Sequence, residues 1–223
     1  QIVKSMPELR SGNEENIVFP KNCPVCHSIL FKEETEAVWR CTNFNCSAQV
    51  VERIAHFVSK DAMDIKNLGE ANIRKFFELG LLKDIPGIYT LDFDHIGNLE
   101  GFGKKSVDNL TIAIEASKQQ PLHRLIYALG IRFVGETVAK KLAKHYKSID
   151  ALSQASLMDL ILVDEIGDRI AQSVLDFFEN QENRKIIDRL KKYGIQFEIV
   201  EKVNPNATTK LSGKTFVVSG VFE

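Results

Sequence analysis

Three features of the residue order predict a mainly α-helical fold with a small satellite at each end. Between Val50 and Val200 apolar residues recur at helical spacing around four evenly placed glycines, while all four cysteines fall between Cys23 and Cys46. The chain then ends on Lys214-Thr-Phe-Val-Val-Ser-Gly-Val-Phe222, which reads as one β-strand without partners. The expected order is a linker or the tail of a preceding domain over 1–20, a four-cysteine finger over 21–49, tandem helical repeats over 50–200, and a linker with a truncated strand over 201–223.

Each stretch has its own reason. Arg10-Ser-Gly-Asn-Glu-Glu-Asn16 is polar enough for a linker. Phe31 to Arg40 has the length of a short hairpin between two cysteine pairs. Helices are punctuated at Pro86-Gly87, Gln119-Gln-Pro121, Ser148 and Gly194, and Asn204-Pro-Asn-Ala-Thr-Thr209 marks a second linker. A start at Gln1 and a lone strand at the other end suggest a piece cut from a longer chain, because an isolated strand leaves its backbone groups unpaired.

Composition narrows the function. Lys plus Arg total 29 against 30 for Asp plus Glu, a formal charge of −1, so no global basic field favours nucleic acid and any such binding must come from local geometry. No apolar run reaches the length of a membrane span and no leader pattern opens the chain, so it reads as neither membrane-spanning nor visibly secreted; a cytoplasmic, nucleoid-associated monomer with no membrane partner is the expectation.

The cysteines stand as Cys23-Pro-Val-Cys26, fourteen residues, then Cys41-Thr-Asn-Phe-Asn-Cys46. Two intervening residues let the first pair face one ion from a turn, and a hairpin brings the second pair to complete a tetrahedron of thiolates, the pattern of zinc. A redox dithiol or four unlinked thiols are the alternatives. Four sulfurs leave no open position for water, so the expected zinc is structural; His27 beside Cys26 is then a solvent-facing residue. Lys21, Arg40 and Arg53 flank the finger and serve either phosphate contact or solubility.

The helical part is a repeat. Ile65-Lys-Asn-Leu-Gly69, Leu99-Glu-Gly-Phe-Gly103, Ile131-Arg-Phe-Val-Gly135 and Val163-Asp-Glu-Ile-Gly167 share apolar, two variable residues, apolar, Gly, at glycine separations of 34, 32 and 32. Four and seven residues beyond each glycine stand Ile73 and Phe76, Val107 and Leu110, Ala139 and Leu142, Ala171 and Val174, one face of a following helix. Seven before it stand Ala62, Ile96, Ala128 and Leu160, expected inside a preceding helix. Each unit is therefore a helix, a tight turn with a glycine suited to positive φ and close backbone approach, and a second helix whose free N–H groups and dipole face an anion. This resembles the helix-hairpin-helix motif, whose likeness implies a grip on the DNA sugar-phosphate backbone without base reading. A helical protein-interaction scaffold has a similar period, but the Trp, Tyr and Pro pattern of tetratricopeptide repeats is missing.

The four copies differ in charge. Gly101, Gly103, Lys104 and Lys105 in the second copy, and Arg132, Gly135, Lys140, Lys141 and Lys144 in the third, make these the expected phosphate binders. The first is intermediate, with Glu70 beside Gly69 but Arg74 and Lys75 a turn later. In the fourth, Asp164, Glu165 and Asp168 surround Gly167 and outweigh Arg169, so it is expected to be mainly structural. For each cation the competing reading is a solvated helix face.

No catalytic residue is expected. Gly213-Lys-Thr215 resembles the end of a phosphate loop, but Thr208 stands where glycine is required; Gly101-Phe-Gly103 lacks a third glycine at Ser106 and a preceding strand. His56, His95, His123 and His145 have no nucleophile at useful spacing.

A four-cysteine finger, four such repeats and then Leu211-Ser-Gly-Lys-Thr-Phe-Val-Val-Ser-Gly220 is an order similar to the C-terminal half of bacterial NAD-dependent DNA ligases. Further resembling segments are Ile17-Val-Phe-Pro20, His56-Phe-Val-Ser-Lys-Asp-Ala-Met-Asp64, Leu125-Ile-Tyr-Ala-Leu-Gly-Ile-Arg132 and Asp176-Phe-Phe178. The resemblance implies an OB-fold domain before residue 20, the opening of a BRCT domain over 210–223, and an adenylation domain with Lys-x-Asp-Gly elsewhere, since that tetrapeptide is missing here. It implies zinc in this piece, NAD and Mg for the parent enzyme alone, and nicked double-stranded DNA as partner in replication and repair. Two rivals carry similar repeats: the DNA-binding tail of a repair nuclease or junction protein, which an upstream Lys-x-Asp-Gly would exclude, and the protein scaffold, which weak salt dependence of DNA binding would favour.

Overall fold

The computed structural model describes residues 4, 6–15, 18–33 and 37–199. The linker and strand expected after residue 200 lie outside them. The described residues are mostly helical, with one two-stranded antiparallel ribbon of β1 (Leu30–Phe31) and β2 (Arg40–Cys41) in the register Leu30↔Cys41 and Phe31↔Arg40. Among them no helix is long and apolar enough to cross a membrane.

The ribbon joins the helices without a break. Cys46 is the N-cap of α1 (Ser47–Val58), its carbonyl accepting from Val50 N–H at 2.9 Å, so the boundary placed between residues 49 and 50 falls inside a helix. Val51, Ile54, Phe57 and Val58 form the buried stripe of α1. The helix stops at Val58 because Ser59 turns to extended ψ, and its carbonyl is taken by Ala62 and Asp64 N–H at 3.1 and 2.9 Å. Ala62, expected inside a helix, is therefore a buried turn residue.

After this turn come α2 (Glu70–Glu78), a 3₁₀ turn at Pro86–Thr90, α3 (Phe93–Gly97), α4 (Lys104–Ser117), α5 (Leu122–Ala128) and α6 (Glu136–Tyr146). They are followed by α7 (Ile149–Ser153), α8 (Leu157–Ile161), α9 (Asp168–Glu179) and α10 (Gln181–Lys191). The four repeats are α1 with α2, α3 with α4, α5 with α6, and α8 with α9. Local chemistry sets their ends. Pro121 precedes α5, Ser148 accepts from Ala151 N–H at 3.1 Å to start α7, Ser156 and Asp159 form a capping box on α8, and Asn180 caps α10. Gly80, at φ 72°, closes α2 with Gly80 N–H on Phe77 O and Leu81 N–H on Phe76 O, a geometry that an L side chain would strain.

One apolar core runs from Val51 to Ile195. Ile73, Phe76, Leu110, Ala139, Leu142, Ala171 and Val174 are buried as the repeat predicts. The second copy is the shallowest, since Leu99, Phe102 and Val107 are only half-buried. It joins the core through Ile96, Leu110 and Ile114, and its hairpin meets the first copy through the Phe102 ring, 5.2 Å from that of Phe76. His56 ties the first copy to the third, its Nε2 2.8 Å from Tyr127 O. The segment after α10 folds back, with Ile149 N–H on Phe197 O and Ile199 N–H on Lys147 O at 2.9 and 2.8 Å.

Candidate metal centre and nucleic-acid interface

The four cysteine sulfurs all lie within 4.8 Å of one another, with Cys23 to Cys46 at 3.9 Å and Cys26 to Cys41 at 3.5 Å. A zinc ion with sulfur at about 2.3 Å sets tetrahedral sulfur–sulfur edges of about 3.8 Å, whereas a disulfide needs about 2.05 Å. All four are free thiols, and the cluster contains no other residue, so His27 stays outside it. His27 instead takes φ 59° in the turn, where its N–H reaches Cys23 O at 2.9 Å.

Charge also calls for a cation. Hydrogen bonds from the Ser28 side chain and backbone pull the Cys26 thiol down to about 5. The Asn43 backbone amide favours the Cys41 thiolate too, yet burial and the sulfurs of Cys26 and Cys23 hold Cys41 up at about 12. Thiolates this close cannot all be ionised alone, and a divalent metal removes the conflict.

In the hairpins the glycines do not play the expected conformational part. Gly69, Gly103, Gly135 and Gly167 have φ of −74, −103, −83 and −90° with extended ψ, and each is the N-cap of the second helix of its copy. The left-handed residue lies two positions earlier: Asn67, Gly101, Phe133 and Glu165, at φ 67, 86, 64 and 63°. Nothing lies within 4 Å of a Cβ built on any of the four N-cap glycines, so neither φ nor internal crowding requires glycine. Ser, Asp or Asn would cap at least as well. What glycine supplies is a bare, exposed approach to a helix N-terminus whose first amides have no side-chain partner. Open helix amides of this kind can accept an anion, although Glu70, Glu136 and Asp168 stand in the first turn of three of the four helices.

The structure sorts the predicted cations by what holds them. Lys104 and Lys105 are exposed at the first two positions of α4, where a positive charge opposes the dipole and gains nothing for the helix. Lys140 is also exposed, on α6. Lys144 is exposed on the same helix, and Arg74, Lys75, Arg132 and Lys141 have carboxylate or carbonyl partners. Arg74 donates to Glu70 at 2.6 Å and Glu52 at 3.3 Å; Lys75 donates to Glu100 O at 2.7 Å above the Phe102 ring. Arg132 pairs with Glu33 of the finger at 2.8 Å, and Lys141 with Asp164 and Glu165 at 2.8 and 2.9 Å. The acids of the fourth hairpin thus meet a lysine of the third copy. Arg53, beside the finger, stacks on Phe44 at 3.9 Å and donates to its carbonyl, joining finger to α1.

Residues 22–48 match the NAD-dependent DNA ligase C4 zinc finger domain, and residues 124–187, the third and fourth hairpins, match the helix-hairpin-helix motif. The whole chain is similar to bacterial DNA ligases. It is 56% identical over 216 residues to the DNA ligase of Flavobacterium johnsoniae, covering 96% of this chain and 32% of that protein. Against the DNA ligases of Sulfurihydrogenibium azorense and Persephonella marina it is 51% identical, covering 100% and 98% of this chain and 31% and 30% of theirs. The chain belongs to the NAD-dependent DNA ligase family. It spans about a third of the length of the curated relatives it matches, and its four-thiolate centre is the family's zinc site.

Sequence reasoning missed three participants in this ligase section. Glu33 is far from Arg132 in the chain, so no local pattern links them. Arg169, discounted among acids, rests on the Phe133 ring of the third hairpin with its guanidinium carbon 4.1 Å from the centroid. Phe133 itself could have been suspected, because alignment of the four copies puts it where Asn and Gly stand in the first two.

Proposed function

We propose that this ligase section is a sequence-independent clamp, acting in a monomeric cytoplasmic enzyme, that holds nicked duplex DNA while other parts of the enzyme use NAD and Mg to seal it in replication and repair. The observation that carries the reading is the set of four bare glycine N-caps, each leaving helix amides open toward an approaching oxyanion. Phosphate oxygens would meet the amides after Gly69, Gly103 and Gly135, while Gly101 turns the second hairpin and the Phe102 N–H after it is taken by Leu99 O; Lys104, Lys105 and Lys140 would supply free charge and Arg74, Lys75, Arg132 and Lys141 charge that a phosphate must win from a partner. Backbone amides and point charges carry no base information, so binding follows duplex shape. Zinc contributes no reaction step here: closing its shell with Cys23, Cys26, Cys41 and Cys46 fixes the finger beside the third hairpin.

Holding two DNA ends in register converts an encounter into an intramolecular step, which supplies much of a rate. The test compares an intact ligase carrying this section with the same ligase doubly substituted Gly103→Ser and Gly135→Ser. Self-adenylation by NAD survives and nick sealing falls steeply. Normal sealing at moderate salt by the double variant would refute the clamp and favour recruitment of a protein partner.

A further inference from the structure

The four sulfurs of the metal centre are not equally supported. Cys26 receives hydrogen bonds from the Ser28 side chain and backbone, and Cys41 receives one from the Asn43 backbone amide. Cys23 and Cys46, only 5% and 1% exposed, have no N–H or O–H donor among the described residues and meet each other's sulfur at 3.9 Å. Four thiolates around a divalent ion leave negative charge uncompensated, and an enclosed sulfur without donors calls for a cation nearby.

Arg53 stands where that cation is needed. It lies seven residues beyond Cys46, two turns along α1 on the same helix face, and outside the buried stripe of Val51, Ile54, Phe57 and Val58. Its half-buried guanidinium rests 3.9 Å from the centroid of the Phe44 ring and donates to the Phe44 carbonyl at 2.5 Å, in the loop between Cys41 and Cys46. Among the described residues it has no carboxylate partner. Burial pushes this guanidinium below its ordinary range, and the charge of Cys46 pulls it back. A half-buried cation without an acid is costly, and neither phosphate contact nor solubility requires that burial.

Independently of the clamp, we propose that Arg53 is a positioning residue of the zinc centre, its guanidinium serving as counter-charge to the enclosed Cys46 thiolate while its hold on Phe44 fixes the loop that presents Cys41 and Cys46. Groups just outside a metal's ligands orient them and tune their hold on the ion. The charge that the thiolates leave over and the charge that α1 half-buries then offset each other, which makes the junction of finger and helix depend on zinc.

The test substitutes Arg53→Gln, Arg53→Lys and Phe44→Leu in the full chain and measures zinc affinity by competition with a chromogenic chelator. Gln keeps a donor for the Phe44 carbonyl but no charge, and its zinc affinity falls about 10–100-fold. Lys keeps the charge without the planar stack and holds zinc nearly as wild type does. The Leu variant removes the ring, leaves guanidinium and carbonyl in place, and behaves like the Lys variant. Cobalt(II) in place of zinc gives a second readout. Its sulfur-to-metal charge-transfer band moves to longer wavelength in the Gln variant, because a thiolate without its counter-charge gives up an electron more readily, and stays in place in the Lys variant. The melt of the helical core is the same in every variant, since Arg53 is outside the buried stripe of α1. Equal zinc loss in the Gln and Lys variants, or a Leu variant as weak as the Gln variant, reduces Arg53 to a packing strut and overturns the inference. Wild-type zinc affinity and an unmoved cobalt band in the Gln variant overturn it as well.

Discussion

Replacing Gly135 with serine separates two roles that glycine can play at a helix start. At φ −83° and ψ 179° an L residue is at ease, and its Cβ would meet nothing within 4 Å, so the fold admits serine without rearrangement. Serine caps better than glycine by a few tenths of a kcal/mol, and losing a glycine from the unfolded chain contributes about 0.4–1 kcal/mol more. The sum is a gain of about 1 kcal/mol, which raises Tm by about 2–4 °C for a chain of this size. Binding should move the other way. The new Oγ takes an amide of the first turn and the new Cβ fills the phosphate approach, removing one charge-assisted hydrogen bond of about 1.5–3 kcal/mol, about ten- to 150-fold in Kd. Fluorescence anisotropy with a nicked duplex and a thermal melt on the same sample measure both. Gly103→Ser behaves alike, while Gly167→Ser is equally stabilised and loses little affinity, because Asp164, Glu165 and Asp168 already discourage phosphate there. A melt lowered by several degrees, or equal binding losses at all three sites, would refute the reasoning.

Metal analysis of gently purified protein gives one zinc per chain, and chelation loosens the finger before the helical core; under half an equivalent with four titratable thiols contradicts the site. Changing Lys104 and Lys105 together to Gln leaves the melt unchanged or slightly raised, since both oppose the α4 dipole, while the salt slope of duplex binding falls by up to about 2. His123 is held below the ordinary imidazole range chiefly by burial, then by Lys140 and Arg124. The unfolded chain therefore binds this proton first, and the stability it contributes above a pH of about 6.5 is lost as pH falls through that value toward the lowered folded one. Urea midpoints from pH 7.5 down to 5.5, flattened in His123→Gln, check the sign.

The repeat was legible because period and punctuation agreed. Glycines 32 to 34 residues apart with apolar partners four and seven later leave one plausible helix face, and Ile73, Phe76, Ala139 and Val174 are buried on it. The metal centre was legible for the same reason, since cysteine spacing alone restricts the geometry. The left-handed position was hidden, because Asn67, Phe133 and Glu165 carry little or no glycine signal; Asn67 tolerates that backbone, and at Phe133 and Glu165 the tertiary packing of the hairpin overrides a cost of about 1–2 kcal/mol per residue. Nor could the order of residues separate Lys104 and Lys105 from Lys141. The difference lies in Asp164 and Glu165, which reach Lys141 only once the third and fourth copies are packed.

Under the proposed clamp, those ion pairs would explain how a chain with net charge −1 holds a polyanion. Exposed pairs contribute about 0–1 kcal/mol each to stability, too little to account for the fold, which the apolar core holds. Their position is more informative. Lys75 reaches the carbonyl of Glu100 between the first and second copies, Lys141 reaches Asp164 and Glu165 between the third and fourth, and Arg132 reaches Glu33 between hairpin and finger. Each tie spans a joint and sets the spacing of neighbouring helix N-termini. Glu33, Asp164 and Glu165 are therefore spent between units, whereas Glu70, Glu136 and Asp168 stay in the first turns after Gly69, Gly135 and Gly167, so α4 after Gly103 is the hairpin helix that starts without an acid. A duplex presents phosphates at fixed intervals, so several weak grips at the right separation act together, each raising the effective concentration of the next. Spacing then sets the affinity more than total charge does, and a neutral chain with ordered hairpins can bind where a more basic but disordered one would release DNA as salt rises.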